Sequence, residues 1–221
     1  MTLHGTQPDA IKDPLFVSEP RWPAIVAVVA AAAIFTALPP NLIIGPRWLV
    51  MVLVLALTAP YALLNRSGLR QAARVLGYLN SAVITLFLLA SLFLLVRAML
   101  RHQGSPGQML TSAACLWVAN ILVFALWYWR LDAGGPHARE TRGAHEMGAF
   151  LFPQMTMRGH PAANWRPHFI DYLFLAFNTS TAFSPTDTAI LSRWGKALIM
   201  LQSLMSLTIV ALLAARAVNI L

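Results

Sequence analysis

The apolar segments of this sequence contain a single acidic residue, and it begins a short stripe of polar side chains. Asp171 lies near the start of the apolar segment 169–183, and Asn178 and Thr181 follow it. Residues seven positions apart share a face of an α-helix, so Asp171 and Asn178 would lie on one side with Thr181 nearby. Polar groups inside apolar helices are costly and commonly serve ion or proton pathways. The stripe therefore indicates a pore, a proton relay or a substrate contact.

A structural interpretation of the same residues is also open. Asp171 is close to the start of its segment, beside His168, where a first-turn acid interacts favourably with the helix dipole. Asn178 and Thr181 can form hydrogen bonds between packed helices. In that case the stripe would stabilise the fold without taking part in transport.

The turn that follows, residues 178–187, is the most distinctive stretch of the chain and reads Asn-Thr-Ser-Thr-Ala-Phe-Ser-Pro-Thr-Asp. One prediction makes Ser184 the N-cap of the next helix, with Pro185 at its first position and Asp187 at its third. That helix would continue through residues 188–196 into the last apolar segment.

The alternative prediction for this turn is a re-entrant pore. A short helix, a Ser/Thr-rich turn, an acid and a long helix resemble the layout of a potassium-channel pore loop. A potassium filter needs backbone conformations that glycine permits, and no glycine lies between Gly159 and Gly195, so only a different, less selective pore is compatible with the sequence. The candidate pore or intramembrane polar residues are Asp171, Asn178, Thr179, Thr181, Ser184, Asp187, Gln202 and Ser206.

Other patterns that could carry chemistry are sparse. Four of the six histidines lie in residues 130–168 without the tight spacing of metal ligands, and the chain has no HExxH or paired CxxC motif. It also lacks a nucleophile elbow, a phosphate-binding glycine loop and paired catalytic carboxylates. The one cysteine, Cys115, cannot form a disulfide within the chain. We therefore predict no catalytic residues, no metal, no cofactor and no enzyme activity.

The composition indicates that these residues are positioned by helices in a membrane. The chain is 58% hydrophobic and 11% charged, whereas soluble domains carry roughly 25% charged residues. Its net charge of +8 comes from basic residues that lie singly between apolar segments. That distribution is typical of loops that face anionic lipid and argues against nucleic-acid binding.

The hydropathy pattern divides the chain into four regions. We predict a cytoplasmic N-terminal tail at 1–22, four transmembrane helices within 23–129, an extramembrane loop at 130–168 with a short ordered turn near Phe150, and a short membrane helix, a turn and a last transmembrane helix within 169–221. A spanning helix needs about 20 residues, so the segment 169–183 could cross the membrane or dip into it and return. The predicted fold is an all-α, polytopic transmembrane helix bundle with five or six membrane segments.

The positions of Lys and Arg predict the orientation. Placing the N-terminus in the cytoplasm puts ten basic residues of the tail and connections inside and three outside, which satisfies the positive-inside rule. The chain is therefore expected to be a multi-pass protein of a bacterial inner membrane. Its predicted partners are the lipid bilayer and, as an open alternative, further copies of itself.

The second half of the chain carries four recognisable features in order. These are the aromatic end of the fourth segment at 127–129, an Asp-Tyr…Phe helix at 171–177, a Ser/Thr-rich turn at 179–188 and Ala-Val-Asn at 217–219. Over residues 116–221 the chain resembles a family of uncharacterised bacterial integral membrane proteins, defined only as a domain of unknown function. It departs from that family in a longer loop and at Pro185. The resemblance implies membrane location and the helix count, and it implies no activity.

Two functional hypotheses follow from the sequence. The first is a small transporter or pore-type protein whose conduit is lined by Asp171, Asn178, Thr181 and Asp187. The second is a non-transporting membrane component that binds a partner protein or lipid through its aromatic faces and long loop.

Overall fold

The computed structural model describes residues 19–101, 103–141, 148–157 and 165–218, and these residues form an all-α protein. The predicted all-α class is confirmed. The α-helices are α1 (Trp22–Ala37), α2 (Trp48–Arg66), α3 (Arg70–Leu100), α4 (Pro106–Leu131), α5 (Pro136–Thr141), α6 (Phe169–Ala182) and α7 (Arg193–Val218). Two strands of two residues each, β1 (Phe150–Leu151) and β2 (Ala189–Ile190), pair with each other in antiparallel orientation.

The number of helices that could cross a membrane differs from the prediction. Among the described residues, four helices, α2, α3, α4 and α7, are long and apolar enough to span. The expectation of five or six membrane segments is therefore wrong. The two shorter helices explain the difference, because α1 has 16 residues and α6 has 14, which reach about 24 and 21 Å against a hydrocarbon core of about 30 Å.

Helix α4 forms the centre of the bundle. It packs against α1, α3, α6 and α7. In the apolar stretch of α4 that could span a membrane, 61% of the residues are buried, compared with 17%, 33% and 28% in the corresponding stretches of α2, α3 and α7. The three outer helices keep large apolar side chains on their outer surfaces, among them Leu86, Phe93 and Leu204. Such surfaces suit contact with lipid, which removes the need for a charged exterior.

One end of the bundle gathers the end of α2, the start of α3 and the end of α4, and we call it the loop end. The hydroxyl of Tyr78 in α3 donates to the carbonyl oxygen of Arg130 in α4 at 3.4 Å. The side chain of Arg21, just before α1, donates to Asn65 near the end of α2. These contacts place the α2–α3 connection, the end of α4 and the start of α1 on the same side of the molecule.

The chain that follows α4 is fastened to the loop end by a buried polar cluster. Glu19 and Arg139 form an ion pair of 3.0 Å, and the indole of Trp129 donates to the carboxylate of Glu19. The carboxylate of Asp132 accepts from the backbone N–H of Ala149 at 2.5 Å and from the hydroxyl of Tyr172 at 2.6 Å. The described part of the predicted loop is thus packed on the bundle, with β1 at the ordered turn expected near Phe150.

Helices α6 and α7 run in the same direction, which means that the chain between them turns back. The amide of Gln202 donates to the carbonyl oxygen of Ala176 at 2.7 Å, and the hydroxyls of Ser206 and Ser180 lie 2.8 Å apart. Both pairs are separated by 26 residues, so the two helices keep the same register as they run away from the loop end. A segment that crossed the bundle and was followed directly by α7 would give antiparallel helices.

The return of the chain to the loop end is visible at the start of α7. The ring of Phe150 in β1 lies 6.2 Å from that of Tyr172 in α6 and 5.9 Å from that of Trp194 in α7. Strand β2 pairs with β1 immediately before α7 begins. Both helices therefore start at the loop end, and the segment 169–183 enters the bundle and returns on the side from which it came.

Candidate functional site

The candidate site is the re-entrant unit formed by α6, the turn at 183–188 and the start of α7. Asp171 lies at the loop end of this unit, in the first turn of α6. Its carboxylate accepts from the backbone N–H of His168 at 2.8 Å. The structure thus gives Asp171 the capping position of the structural interpretation, away from the turn.

The next predicted residues are divided between the interior and the surface of α6. Thr179 is buried, and its hydroxyl donates to the carbonyl oxygen of Leu175 at 2.8 Å. Thr181 is exposed, and its hydroxyl donates to the carbonyl oxygen of Phe177 at 3.0 Å. Asn178 is partly buried between them. Both threonines lie in the last turn of α6 and satisfy their hydroxyl donors within their own helix.

Gln202 and Ser206 belong to a buried hydrogen-bond network that joins three helices. The side-chain carbonyl of Gln202 accepts from the hydroxyl of Tyr128 at 2.5 Å, and its amide donates to the hydroxyl of Ser180 at 2.9 Å. The amide of Asn120 donates to the hydroxyl of Ser206 at 2.7 Å. Polar pairs of this kind hold helices together in apolar surroundings. The network fixes how deep α6 sits, because Asn120 lies near the middle of the 26-residue α4.

The turn at 183–188 has no regular secondary structure. Phe183 and Thr186 adopt positive φ angles of 54° and 51°, which are uncommon for residues other than glycine. The hydroxyl of Ser184 accepts from the backbone N–H of Thr186 at 3.3 Å. The side chains of Ser184, Thr186 and Asp187 are exposed. The turn therefore presents polar groups to the outside of the single chain.

The prediction that Ser184 caps the last helix is wrong. Helix α7 begins at Arg193, and the hydroxyl of Ser192 accepts from the backbone N–H of Gly195 at 3.0 Å. Residues 189–190 are in β2 instead of a helix. Pairing with β1 and the positive φ of Thr186 keep this segment extended, and both depend on contacts that are distant in sequence.

The depth of the turn follows from the helices on either side. Ser180 lies 3.4 Å from the amide of Asn120, and α6 ends two residues later at Ala182. The end of α6 is thus about 20 Å from the loop end of its axis at 1.5 Å per residue. If α4 and α7 cross a membrane, the end of α6 lies inside the hydrocarbon core, which is about 30 Å thick. From there residues 183–188 return to β2, which pairs with β1 at the loop end.

The electrostatics of the turn are set by one acid. Asp187 is the acidic residue of the turn, and it forms no ion pair within the described ranges. Those ranges also contain no group of three His, Cys, Asp or Glu side chains placed to hold a metal. Asp187 lies two residues before β2, on the loop-end side of the turn, and an exposed, unpaired carboxylate there would favour the approach of cations from the loop end.

Sequence reasoning identified part of this site. Gln202 and Ser206 are four residues apart and Asn120 is polar in an apolar segment, so a role in joining helices was detectable. Ser180 lies in a run of hydroxyl residues, and Tyr128 belongs to the aromatic triplet at the end of the fourth apolar segment. Nothing in the local pattern distinguished these two as network members.

Comparison of the chain with protein families, curated proteins and solved structures finds no match. The resemblance to a family of integral membrane proteins is thus not confirmed. The structure supports the coarser statement that the chain has four long apolar helices of the kind found in multi-pass membrane proteins.

Proposed function

We propose that this chain is a multi-pass membrane protein that assembles with further copies of itself around the re-entrant turn to form a polar, cation-preferring conduit. The observation that carries the proposal is the exposed, non-helical turn at 183–188, which begins half-way along α4 and α7 and returns to the loop end at β2.

The first step of the argument concerns the backbone of the turn. Inside hydrocarbon, a peptide group without a hydrogen-bond partner costs several kcal/mol, so irregular backbone occurs only where protein or water covers it. In the single chain, Ser184 and Thr186 are exposed, and so are the apolar side chains of Phe177 in α6 and Met200 in α7. Contact with lipid would leave these polar groups unsatisfied. The turn therefore requires a protein neighbour, a water-filled space or both.

The second step concerns what covers the turn. Symmetric assembly of identical chains brings the same segment of every copy to one axis. The turn would then be covered by its equivalents, and the side chains of Ser184, Thr186 and Asp187 would line the space between copies. A ring of carboxylates is a common device for attracting cations into a channel. The absence of glycine between Gly159 and Gly195 argues for weak selection among cations.

The orientation is part of the proposal. The opposite end carries Arg47, Arg97 and Arg101, and the loop end carries more basic residues, among them Arg21, Arg70, Arg74, Arg130 and Arg139. We therefore place the loop end in the cytoplasm of a bacterial cell, by the positive-inside rule. A membrane-impermeant maleimide should label a Ser67→Cys variant in lysed cells and leave it unlabelled in intact cells. Labelling in intact cells would reverse the orientation.

Ion flux through the purified protein in liposomes tests the proposal. The comparison is between the natural chain, Asp187→Asn in the turn and Asp171→Asn at the start of α6. Both substitutions remove one carboxylate, and the asparagine at 171 can still accept the bond from His168. We expect cation flux in the natural chain and in Asp171→Asn.

For Asp187→Asn we expect a cation-over-anion permeability ratio lower by roughly threefold or more, because the ring of charge is lost. Background flux in all three proteins would exclude a conduit. Flux that is unchanged by Asp187→Asn would place the conduit elsewhere in the molecule. The competing hypothesis, a membrane component that binds lipid or a partner protein without transport, would then be favoured.

A further inference from the structure

Three arginines at the loop end surround a cleft and have no carboxylate partner among the described residues. They are Arg70 and Arg74 in the first turns of α3 and Arg130 in the last turn of α4. The cleft is a small recess that opens to solvent.

Arg130 is the centre of this cleft. Its residue surface is only 8% exposed, and its Nε has no hydrogen-bond partner within the described part of the chain. The guanidinium carbon lies 5.6 Å from the ring centroids of both Tyr61 and Trp129. Aromatic faces orient and partly stabilise a buried cation, but they do not neutralise its charge. A buried arginine without an ion-pair partner destabilises the fold unless an anion binds beside it and neutralises its charge.

The absence of a side chain at Gly77 makes room for the guanidinium of Arg130 against α3. A Cβ placed on Gly77 would collide with the guanidinium of Arg130, so any larger residue would displace the arginine from α3. Arg70 and Arg74 are one helical turn apart and continue the same face of α3. Three guanidinium groups are thereby directed to one space from two helices.

The neighbouring groups leave that positive charge largely uncompensated. Glu140 is already paired with Arg21, at 2.9 Å. Burial, together with the charges of Arg70 and Arg21, lowers the pKa of His137 at the edge of the cleft. The site is thus cationic at neutral pH without a contribution from histidine.

We propose that this cleft binds a phosphate-bearing anion, held by the guanidinium groups of Arg130, Arg70 and Arg74. Arginine forms paired, charge-assisted hydrogen bonds with phosphate oxygens, which suits a recess of this shape. The phosphate can belong to an anionic lipid headgroup or to a small soluble molecule, and both share this chemistry. Basic clefts between membrane helices commonly hold lipid headgroups. The site is separate from the re-entrant turn, because no residue of 183–188 lines the cleft.

The test measures binding to the purified full-length chain in neutral detergent. One arm titrates phosphatidylglycerol against phosphatidylcholine and counts bound lipid by native mass spectrometry. The other arm titrates inorganic phosphate and follows the thermal unfolding temperature. Preferential retention of phosphatidylglycerol identifies a headgroup site, and stabilisation by inorganic phosphate identifies a soluble ligand. Either result supports the proposal, and failure of both arms overturns it.

Matched variants locate the site. Arg130→Gln and the double variant Arg70→Gln/Arg74→Gln should each weaken binding about tenfold or more, as expected when charge-assisted hydrogen bonds are lost. The control is Arg97→Gln/Arg101→Gln, which removes two charges from the opposite end of α3. Arg70 and Arg74 are exposed, so their double variant should fold even if Arg130→Gln does not. Equal loss of binding in the cleft variant and the control would overturn the proposal.

Discussion

At the scale of single residues, a buried ion pair between Glu19 and Arg139 fastens the loop end. The side chains of Glu19 and Arg139 are 7% and 4% exposed and lie 3.0 Å apart. Arg139 also donates to the backbone carbonyl oxygens of Trp129 and Asp132, at 2.9 Å each. The pair joins the start of α1 to the chain after α4 across a separation of 120 residues. Removing either member would leave the other charge buried and unpaired.

This leads to a prediction about stability. Glu19→Gln and Arg139→Gln should each lower the free energy of unfolding by about 3–5 kcal/mol, the usual cost of an uncompensated buried charge. The double variant should cost no more than the costlier single variant, because it leaves no charge unpaired. Denaturant unfolding in detergent measures all three, with the exposed Arg101→Gln as control. Additive losses in the double variant would show that the two side chains act independently.

At the scale of helices, hydrogen bonds between otherwise apolar surfaces set the depth and direction of α6 in the bundle. Gln202 connects α7 to the carbonyl of Ala176, the hydroxyl of Ser180 and the hydroxyl of Tyr128. All three partners are buried. The interaction therefore holds α6 at one depth against both of its neighbours.

Gln202→Leu should destabilise the protein by about 1–3 kcal/mol, because its partners stay buried without their hydrogen bonds. The control is Thr208→Val on the exposed face of α7, where the hydroxyl only donates to its own helix at Leu204. We expect the thermal unfolding temperature to fall clearly for Gln202→Leu and hardly at all for Thr208→Val. Equal shifts would mean that the network contributes little to holding α6.

The sequence predicted those elements that depend on local properties, and it did not predict those that depend on contacts between residues distant in the chain. Apolar length is a local property, so the helical class and the positions of α2, α3, α4 and α7 were predictable. The direction of the chain after α6 was not, because it depends on the pairing of β1 with β2 and on the network around Gln202. The predicted cap at Ser184 was locally consistent, and the distant pairing with Phe150 and Leu151 prevailed over it.

The same distinction applies to the candidate site and the cleft. Asp187 and Ser184 were recognisable because a polar turn is unusual between two apolar segments. The sequence identifies Arg130 only as one of the basic residues that predict the orientation. Its burial against Tyr61 and its approach to Gly77 depend on how α2, α3 and α4 pack. Local patterns thus indicate which residues are unusual, while tertiary packing decides what surrounds them.

At the scale of the whole molecule, a single chain leaves its re-entrant turn uncovered. The exposed apolar side chains on α3 and α7 can face lipid, whereas the exposed polar groups at 183–188 cannot. These two kinds of surface should therefore have different neighbours in a membrane. The difference makes the assembly of copies accessible to a chemical test.

Ser184→Cys should cross-link between chains in membranes, in a background where Cys115 is replaced by alanine. Bifunctional maleimides of stepped lengths report the spacing, because a direct disulfide forms only when the Cα atoms are within about 7 Å. Leu86→Cys is the control, since Leu86 is 65% exposed on the outer surface of α3 and should face lipid. Electrophoresis should show linked chains for Ser184→Cys and single chains for Leu86→Cys. Single chains for both would remove the homo-oligomeric conduit, because the turn would then need a different partner to cover it.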